Sequence, residues 1–469
     1  MKNGLSIKLL ILVGLFAFAS CQTYYQKQYK VQKEVEAGNL EKAYALLDKS
    51  KKTDTGKNRM LYFMNKGALA FLIGEYQAAI DYLNQADFLI EDKEKRTETE
   101  VLALITNPMV TDYKAEDHEK VMIHYYKALA YAQTGRMEEC RVEARRLNIQ
   151  LNEINNKYTK KNRYNEDAFA WILIGLAYDA SREYNNAFIA YRNGFNAYNN
   201  TYVELFGIEA PLQLKKDMIR TAKLSGLNNE LNFYEKEFNL KYMKEPDANG
   251  TAVVIWNNGL VPVKGENSIN FSIIRGEGGN LTFVNSELGL SFNFPMPSNN
   301  ESGSKGLGQL EFVRVAFPKY IDRPAYFNSA SFSVAGTNYN LEKAEDLGQI
   351  AHKTLEDRFL RELGNGLMRL ALKKAAEYEV RQTNDNLGAA VGILNALTEK
   401  ADTRNWQTLP NEMSYSRINL PEGEYTMKFS PRTGVRGATA SPQNYPLQII
   451  GGRTDFFTIN TFDTYNIGY

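Results

Sequence analysis

The sequence predicts an α + β protein with several domains: an N-terminal α-solenoid of helical hairpins, then an antiparallel β-sandwich-like domain with a helical insertion. Its 469 residues exceed what one ordinary core organises. The first half repeats a helix–turn–helix pattern, and the second half has short β-branched runs between turn residues. We expect a signal segment at residues 1–20, the solenoid at 21–245 and the β domain at 246–469, with separate cores that fold alone.

The N-terminus has the pattern of a secretory signal. Lys2 and Lys8 precede an apolar run at residues 9–19, which is too short to remain as a membrane span. Small residues directly before Cys21 indicate a bacterial lipoprotein, cleaved before this cysteine and carrying lipid such as palmitate on its thiol. The alternative is an ordinary secreted protein with a spare cysteine. We expect a membrane as one partner, because multiple acylation makes a stable anchor.

The solenoid prediction starts from residues 171–191. Trp171, Gly175, Tyr178 and Ala187 are spaced as in a tetratricopeptide repeat, which this stretch resembles. One such hairpin cannot bury its own apolar face, so neighbouring hairpins must stack on it. The pattern recurs along the first half, with turns and small residues at Gly38 and Ala43, Gly74 and Ala79, Gly135 and Cys140, and a degenerate cap around Gly226.

Four tyrosines on the first helices of these units are candidate contacts for a peptide partner: Tyr62, Tyr125, Tyr126 and Tyr178. They would line the concave surface of the array, and tyrosine is common in binding surfaces. Aromatic stripes at helical spacing are more often core, and we favour packing between repeats. The array itself predicts an envelope protein as partner.

Neither a metal nor another cofactor is expected. Glu116, Asp117 and His118 adjoin one another, but a metal site needs three or four converging ligands. Cys140 occupies the small-residue position that alanine fills in the other units, which predicts a small buried hydrophobe and not a reactive thiol.

The second half combines strands with a helical insertion at about 342–400. Strands are predicted at residues 251–256, 268–274, 280–284, 290–294, 310–316, 326–334, 414–418, 424–429, 447–450 and 456–459. Turn residues between them favour a sandwich or barrel. Three insertion helices are predicted at 347–363, 367–380 and 387–397, with glycines at 364 and 366 breaking the first. The Gly-rich segments 276–279 and 303–308 lack a phosphate-loop context and are predicted to be hairpin tips.

A polar and aromatic motif follows the insertion directly. It reads Asp402-x-Arg404-x-Trp406-x-x-Leu-Pro, and Asn258-Gly-Leu-x-Pro-x-Lys264 lies upstream. With the helix that carries Arg369 and Lys373, these runs resemble an uncharacterised family of bacterial tetratricopeptide-containing lipoproteins, over nearly the whole mature chain. The resemblance implies a cell-envelope protein and brings no established reaction.

The motif has two interpretations. In the structural one, Arg404 pairs with Asp402 or stacks on Trp406 and closes the junction between insertion and sandwich. In the other, Arg404 and Trp406 form a ligand platform with Arg369 and Lys373. Those two cations are four residues apart on one helix face and would suit an anionic glycan or carboxylate. We favour the structural interpretation.

The function predicted from sequence is a non-enzymatic envelope lipoprotein that acts as a protein–protein interaction scaffold. A net charge of +1 without a basic stripe argues against nucleic acid as partner. Residues 22–26 lack an acidic cluster, so we expect an outer-membrane protein that faces the periplasm. The alternatives are an enzyme that acts on the cell wall or on glycans, and a peptidoglycan-binding module. No Gly-x-Ser-x-Gly or zinc motif occurs, whereas carboxylate pairs are invisible in sequence. His352 is expected to be exposed.

Overall fold

The computed structural model describes residues 24–48, 56–95, 109, 111–157, 167–275, 280–294, 311–383, 400–433 and 440–463. The predicted signal segment, Cys21, both Gly-rich segments and the insertion helix at 387–397 lie outside the described residues. Within the described ranges, no helix combines the length and the apolar character that a bilayer span requires.

The first half consists of helical hairpins, as predicted. Its helices are α1 Tyr24–Glu36, α2 Leu40–Asp48, α3 Arg59–Leu72, α4 Tyr76–Lys95, α5 Asp117–Gln133, α6 Met137–Lys157, α7 Ala168–Ala180, α8 Tyr184–Ala197, α9 Val203–Phe206, α10 Leu212–Leu224 and α11 Asn228–Glu237. In the described residues they form five hairpins, α1–α2, α3–α4, α5–α6, α7–α8 and α10–α11. A short π-helix, Tyr198–Tyr202, joins α8 to α9. In the first hairpin, the turn residue Gly38 has a φ of 73°. Glycine adopts this left-handed conformation without a steric penalty, so it can follow the end of α1 and start the turn.

Small residues let the two helices of each hairpin approach closely. A Cβ added at Gly175 would lie 2.3 Å from the Tyr191 ring, and one at Gly67 would lie 2.5 Å from Leu83. On the second helix of its hairpin, Cys140 fills the position that Ala43, Ala79 and Ala187 fill in the others. It is 2% exposed, and burial raises the pKa of its thiol to about 12. The described contacts therefore support a packing role for this cysteine.

The second half contains two sheets. Its strands are β1 Gly250–Leu260, β2 Val263–Arg275, β3 Leu281–Asn285, β4 Leu290–Phe294, β5 Glu311–Ile321, β6 Phe327–Val334, β7 Thr337–Asp346, β8 Pro410–Leu420, β9 Gly423–Thr433, β10 Gln443–Ile449 and β11 Thr454–Thr461. In the described residues, one sheet has seven strands in the order β10-β9-β6-β7-β8-β1-β11 and the other has four in the order β4-β3-β2-β5. Only the β1–β11 pair in these ranges is parallel.

The seven-stranded sheet curls around a core of its own, which gives the sandwich-like shape that the sequence predicted. Trp256 of β1, Phe332 of β6 and Leu447 of β10 belong to this one apolar cluster. A Cβ at Gly250 would lie 2.2 Å from the carbonyl oxygen of Ile450, so the start of β1, next to the edge strand β11, lies close to the end of the opposite edge strand β10. The four-stranded sheet forms a separate layer, whereas the sequence predicted a single sandwich-like domain.

The insertion begins with one helix, α12 Leu347–Thr383, of 37 residues. The predicted break at 364–366 is wrong. Leu363 and Leu367 pack on the four-stranded sheet on either side of it, and this burial exceeds the cost of about 1 kcal/mol per helical glycine. A Cβ at Gly366 would lie 3.0 Å from Val315, so this glycine lets the helix lie close to β5.

The largest apolar core is shared by both halves of the chain. It contains side chains of α3, α5 and α7 together with Val253, Trp406, Tyr415 and Phe456. The expectation of separate cores is therefore wrong. The central first helices α3, α5 and α7 are buried almost all round, because second helices cover one side and the second half of the chain covers the other. The change from helix to strand falls between Glu237 and Gly250.

Candidate functional site

The side of the repeat array that faces the C-terminal half is its inner face, formed by the first helices α1, α3, α5, α7 and α10. A partner was predicted to bind here. Each of these helices contacts the chain's own second half. On α1, Tyr24 N–H donates to Thr403 Oγ1 at 3.2 Å; on α3, Asn65 Oδ1 accepts from Thr408 Oγ1 at 3.1 Å; and on α5, Glu119 Oε1 accepts from Trp406 N–H at 2.6 Å. Tyr415 serves the last two helices: its ring lies 6.5 Å from the Phe169 ring of α7, and its hydroxyl donates to Asp217 Oδ2 of α10 at 3.4 Å. The inner face is therefore occupied within the molecule.

Two of the four tyrosines predicted on the concave surface lie deep in this interface. Tyr125 donates its hydroxyl to Asn257 Oδ1 at 3.3 Å, and the Tyr126 ring lies 5.9 Å from the Trp406 ring. Both tyrosines are buried. They also pack between repeats, as the sequence predicted: the Tyr126 ring lies 5.3 Å from the Phe71 ring of α3, and the Tyr125 ring lies 6.0 Å from the Phe169 ring of α7. The contacts with the C-terminal half are additional and were not predicted.

Residues 401–409 form the segment that lies along the inner face. All of them except Asp402 are buried, and Trp406 is 0% exposed. Its indole N–H donates to Thr408 Oγ1 at 3.0 Å, and its ring contacts Tyr126. The segment has no regular secondary structure, and its polar groups use side chains of α3 and α5, as a bound peptide would.

Arg404 joins this segment to the repeats. Its Nε and Nη2 donate to Asp402 at 2.8 and 2.7 Å, so the proposed Asp402–Arg404 pair is present. Its Nη1 donates to Asn58 Oδ1 at 3.2 Å and to the carbonyl oxygen of Thr111 at 3.0 Å. The guanidinium lies 5.4 Å from the Tyr113 ring centroid, so its aromatic partner is Tyr113 and not its neighbour Trp406. These contacts close the junction between segment and repeats.

Arg369 and Lys373 belong to a different part of the molecule. They lie on α12, where the adjacent Leu367 and Leu370 pack on the four-stranded sheet. Trp406 belongs to the core shared with the repeats. A fully buried indole offers no surface to an external ligand, so the structure does not present the four residues as one exposed platform.

A cluster of buried charges lies beside the segment, at the start of α5. Glu116 accepts from Lys264 Nζ of β2 at 2.5 Å, and Arg358 of α12 lies 2.7 Å from its other oxygen. Burial opposes ionisation of Glu116, but Lys264 and Arg358 outweigh it and hold the pKa of Glu116 well below its usual range. The three charges therefore join α5 of the repeats to β2 and α12 of the second half.

Glu119, one turn further along α5, is surrounded by donors. Its carboxyl accepts from Tyr113 Oη at 2.6 Å, from the backbone N–H of Glu116 at 2.9 Å and from that of Trp406. Burial, and then the charge of Glu116, raise the pKa of Glu119 to about 7. Burial lowers the pKa of the adjacent His118 to about 4, so its ring is neutral at neutral pH.

Two further buried carboxyls lie along the same interface. Glu345 of β7 accepts from Tyr202 Oη at 3.0 Å, and burial, then the nearby charge of Asp167, raise the pKa of Glu345 well above its usual range. Burial raises the pKa of Asp217 on α10 to about 6. The π-helix directs both of its tyrosines to β7, where Tyr198 Oη donates to the carbonyl oxygen of Ala344 at 2.6 Å.

Sequence reasoning missed most of these interface residues, among them Glu119, Asp217, Arg323 and Glu345. Arg323 is buried and donates to the carbonyl oxygen of Val261 at 2.8 Å and to Gln32 Oε1 at 2.9 Å. One signal was available. Residues 168–178 are apolar around the whole helix, which indicates burial on both sides.

Surface clefts lie elsewhere. Two open clefts, of about 520 and 470 Å³, adjoin each other at Phe206. The smaller contains His352, whose Nε2 lies 2.6 Å from Asp322 Oδ1; its side chain is 43% exposed. Neither cleft is lined by Glu119 or Glu345. Among the residues that the structure describes, no group of three or more His, Cys, Asp or Glu is placed to hold a metal ion.

No family profile and no curated protein matches this chain. Solved structures similar to it include "Crystal structure of MamA", with 16% identity, 44% of this chain and 90% of that chain covered, and a TM-score of 0.28. The TPR-like repeats of a Podosopora anserina putative kinesin light chain share 14% identity over 46% and 92% of the two chains, with a TM-score of 0.29. Bacillus thuringiensis PlcR, in complex with the peptide PapR7 and DNA, shares 12% identity over 50% and 79%, with a TM-score of 0.26. These values are too low to support an argument about function.

Proposed function

We propose that this protein is a non-enzymatic scaffold of the bacterial cell envelope that binds a protein partner through the outer face of its repeats. The outer face is the exposed side of the second helices α4, α6, α8 and α11. The observation that carries the proposal is the occupied inner face. An external peptide would have to displace residues 401–409. Detaching the rest of the second half from α5 as well would leave buried charges such as Lys264 unpaired, at a cost of several kcal/mol per ion.

The outer face offers apolar side chains to a partner. Phe88 is 63% exposed, Ile149 57% and Phe233 61%, and Ile189 is also exposed, so each of the four helices α4, α6, α8 and α11 carries at least one such residue. A single exposed apolar residue is ordinary, but a series along successive helices supplies the anchors of an interface.

The placement of the perturbed carboxyls favours a scaffold over an enzyme acting on the cell wall. Glu119, Asp217 and Glu345 are buried in the interface between the two halves. A catalytic group must reach a substrate, and structural ion-pair networks also perturb pKa values. Burial of Trp406 likewise weakens the alternative of a glycan platform.

A pull-down from detergent-solubilised envelopes tests the surface. The triple variant F88D/I149D/F233D should melt like wild type and lose the partner. Phe312 and Leu360 are 70% and 62% exposed in the second half, so F312D/L360D is the matched control and should retain the partner. Loss of the partner from the control alone, or turnover of muropeptides by the purified protein, would contradict the proposal.

We further propose that lipid on Cys21 holds the protein to the outer membrane, facing the periplasm. The support is the sequence pattern before this cysteine. Wild type should incorporate labelled palmitate and fractionate with membranes, whereas Cys21→Ser should do neither. Protease added to intact cells should leave the protein whole. Removal by that protease would refute the orientation, and unchanged fractionation of the variant would refute the anchor.

A further inference from the structure

The first helix has an exposed basic face that the proposed scaffold role does not use. We propose that this face of α1 docks on anionic phospholipid head groups, so that the protein lies with its first helix along the membrane. The inference rests on the proposed lipid anchor at Cys21, and it adds a second attachment and a fixed orientation.

The exposed and the buried residues of α1 lie on opposite sides of the helix. Lys27, Lys30 and Lys33 are exposed and three residues apart, so they share one side of the helix, and Tyr29 beside them is 50% exposed. Tyrosine beside lysines is typical of helices at a membrane interface.

The acidic residues of α1 have cationic partners of their own. Glu34 lies 2.6 Å from Lys42, and Glu36 lies 3.5 Å from Arg323. The exposed face therefore keeps a positive charge, which complements an anionic surface.

The opposite side of α1 is held by the body of the protein. Val31 and Val35 pack with Leu260 and Phe462, near the two ends of the second half. Arg323 donates to Gln32 Oε1 from the same side. The helix is therefore fixed with its lysines directed away from the protein.

The anchor places this face near the bilayer. Gln22 and Thr23 alone separate Cys21 from Tyr24, so three Cα–Cα steps span at most about 11 Å. Tyr24 itself is held by its hydrogen bond to Thr403. The start of α1 therefore lies within about 11 Å of the proposed lipid attachment, a distance comparable with the Debye length of about 8 Å at physiological salt. At that distance each lysine strengthens membrane attachment severalfold.

Amine labelling of the full-length acylated protein tests the docking surface. The protein is reconstituted in vesicles of phosphatidylcholine alone or with an equal part of phosphatidylglycerol, and acetylation of each lysine is followed by mass spectrometry. Lys27, Lys30 and Lys33 should react severalfold more slowly on the anionic vesicles. This protection should disappear in about 1 M salt, where the Debye length is about 3 Å. Lys216 and Lys428, which are exposed elsewhere, should react equally on both.

Charge reversal provides the second measurement. Iodination of Tyr29 in wild type should be slower on the anionic vesicles, and in K27E/K30E/K33E it should become equal on both. The matched variant K216E/K319E/K428E changes three lysines that are exposed elsewhere and should keep Tyr29 protected. Equal labelling of wild type on both vesicles, in protein that carries lipid and floats with them, would overturn the docking surface alone. A Cys21 without lipid would refute the anchor and this orientation with it. If the three lysines were equally protected from acetylation when no vesicles are present, the protecting contact would be with another protein, and the inference would also be overturned.

Discussion

The two faces of the repeat array are built from the same hairpins, but the inner face is buried in the protein and the outer face is exposed to solvent. On the inner face, first helices such as α5 are buried along most of their length, and charges such as Glu116 are paired inside the protein. On the outer face, Arg136 and Glu139 form an ion pair with side chains 40% and 42% exposed, and Phe88 faces solvent.

The difference separates packing from recognition. The inner face has the groups that a repeat array would use for a peptide, namely tyrosines, carboxylates and an asparagine. Strand β1 and residues 401–409 of the same chain already satisfy them. Its role is to hold the two halves together. A surface with these residues is therefore a binding site only where the rest of the chain leaves it open.

Separating the halves should have the largest effect. Fragments 24–245 and 246–469 would each expose the apolar groups that now form the shared core. We expect neither fragment alone to show a cooperative thermal transition by circular dichroism, and mixing them should restore one. A sharp transition in either isolated fragment would show that the inner face is not part of a common core.

Trp406→Ala should destabilise the whole protein by about 3–5 kcal/mol, because truncating a buried aromatic residue leaves a cavity. Urea unfolding should still show one transition, shifted to lower denaturant. Arg404→Ala should also lower stability, through the loss of its contacts with Asn58 and Thr111. The outer-face control Ile149→Ala should change stability by no more than about 0.5 kcal/mol. Normal unfolding of Trp406→Ala with loss of the envelope partner would favour the ligand platform instead.

Glu116→Gln should cost a comparable amount, about 3–5 kcal/mol at neutral pH, because it leaves Lys264 buried without its carboxylate. Urea unfolding measures the loss. The double variant with Lys264→Met should recover part of it, since the buried cation is then removed as well. Equal stability of the single and double variants would show that the pair is not coupled.

The pH dependence of Glu119 should be smaller. Its folded pKa is raised from 4.5 to about 7, so the stability that its proton supplies is present below about pH 4.5 and is lost as pH rises through about 7. Wild type should therefore lose stability relative to Glu119→Gln over this window, by at most about 3 kcal/mol at 1.4 kcal/mol per pKa unit. Glutamine has one oxygen acceptor where the carboxylate has two, so Glu119→Gln is less stable at every pH, and this loss does not vary with pH. Unfolding curves from pH 4 to 8 give the difference, and a constant difference would contradict the raised pKa.

A small effect is expected for Arg136→Ala, in the turn that leads into α6 on the outer face. Because both side chains of its ion pair with Glu139 are about 40% exposed, solvent screens the pair, and the loss should be at most about 1 kcal/mol. Thermal melting measures it. A loss as large as that of Glu116→Gln would remove the distinction between the two faces.

The sequence by itself determined the local elements. Periodicity and turn residues predicted the helical hairpins around Gly38, Gly74, Gly135 and Gly226, the small-residue position of Cys140, and most strands of the second half. These features depend on neighbours along the chain, since a turn needs one left-handed residue and a helix needs one repeating face.

Only the tertiary structure decided where those faces are buried. Periodicity shows that Tyr126 or Trp406 is buried, but not against which surface, and the hydrogen bond from Trp406 to Glu119 joins residues 287 positions apart. The same long-range packing carries α12 through Gly364 and Gly366, and it raises the pKa of Glu119. Burial and charge pairing depend on groups from distant parts of the chain, so the occupied inner face emerges only when the two halves are packed together.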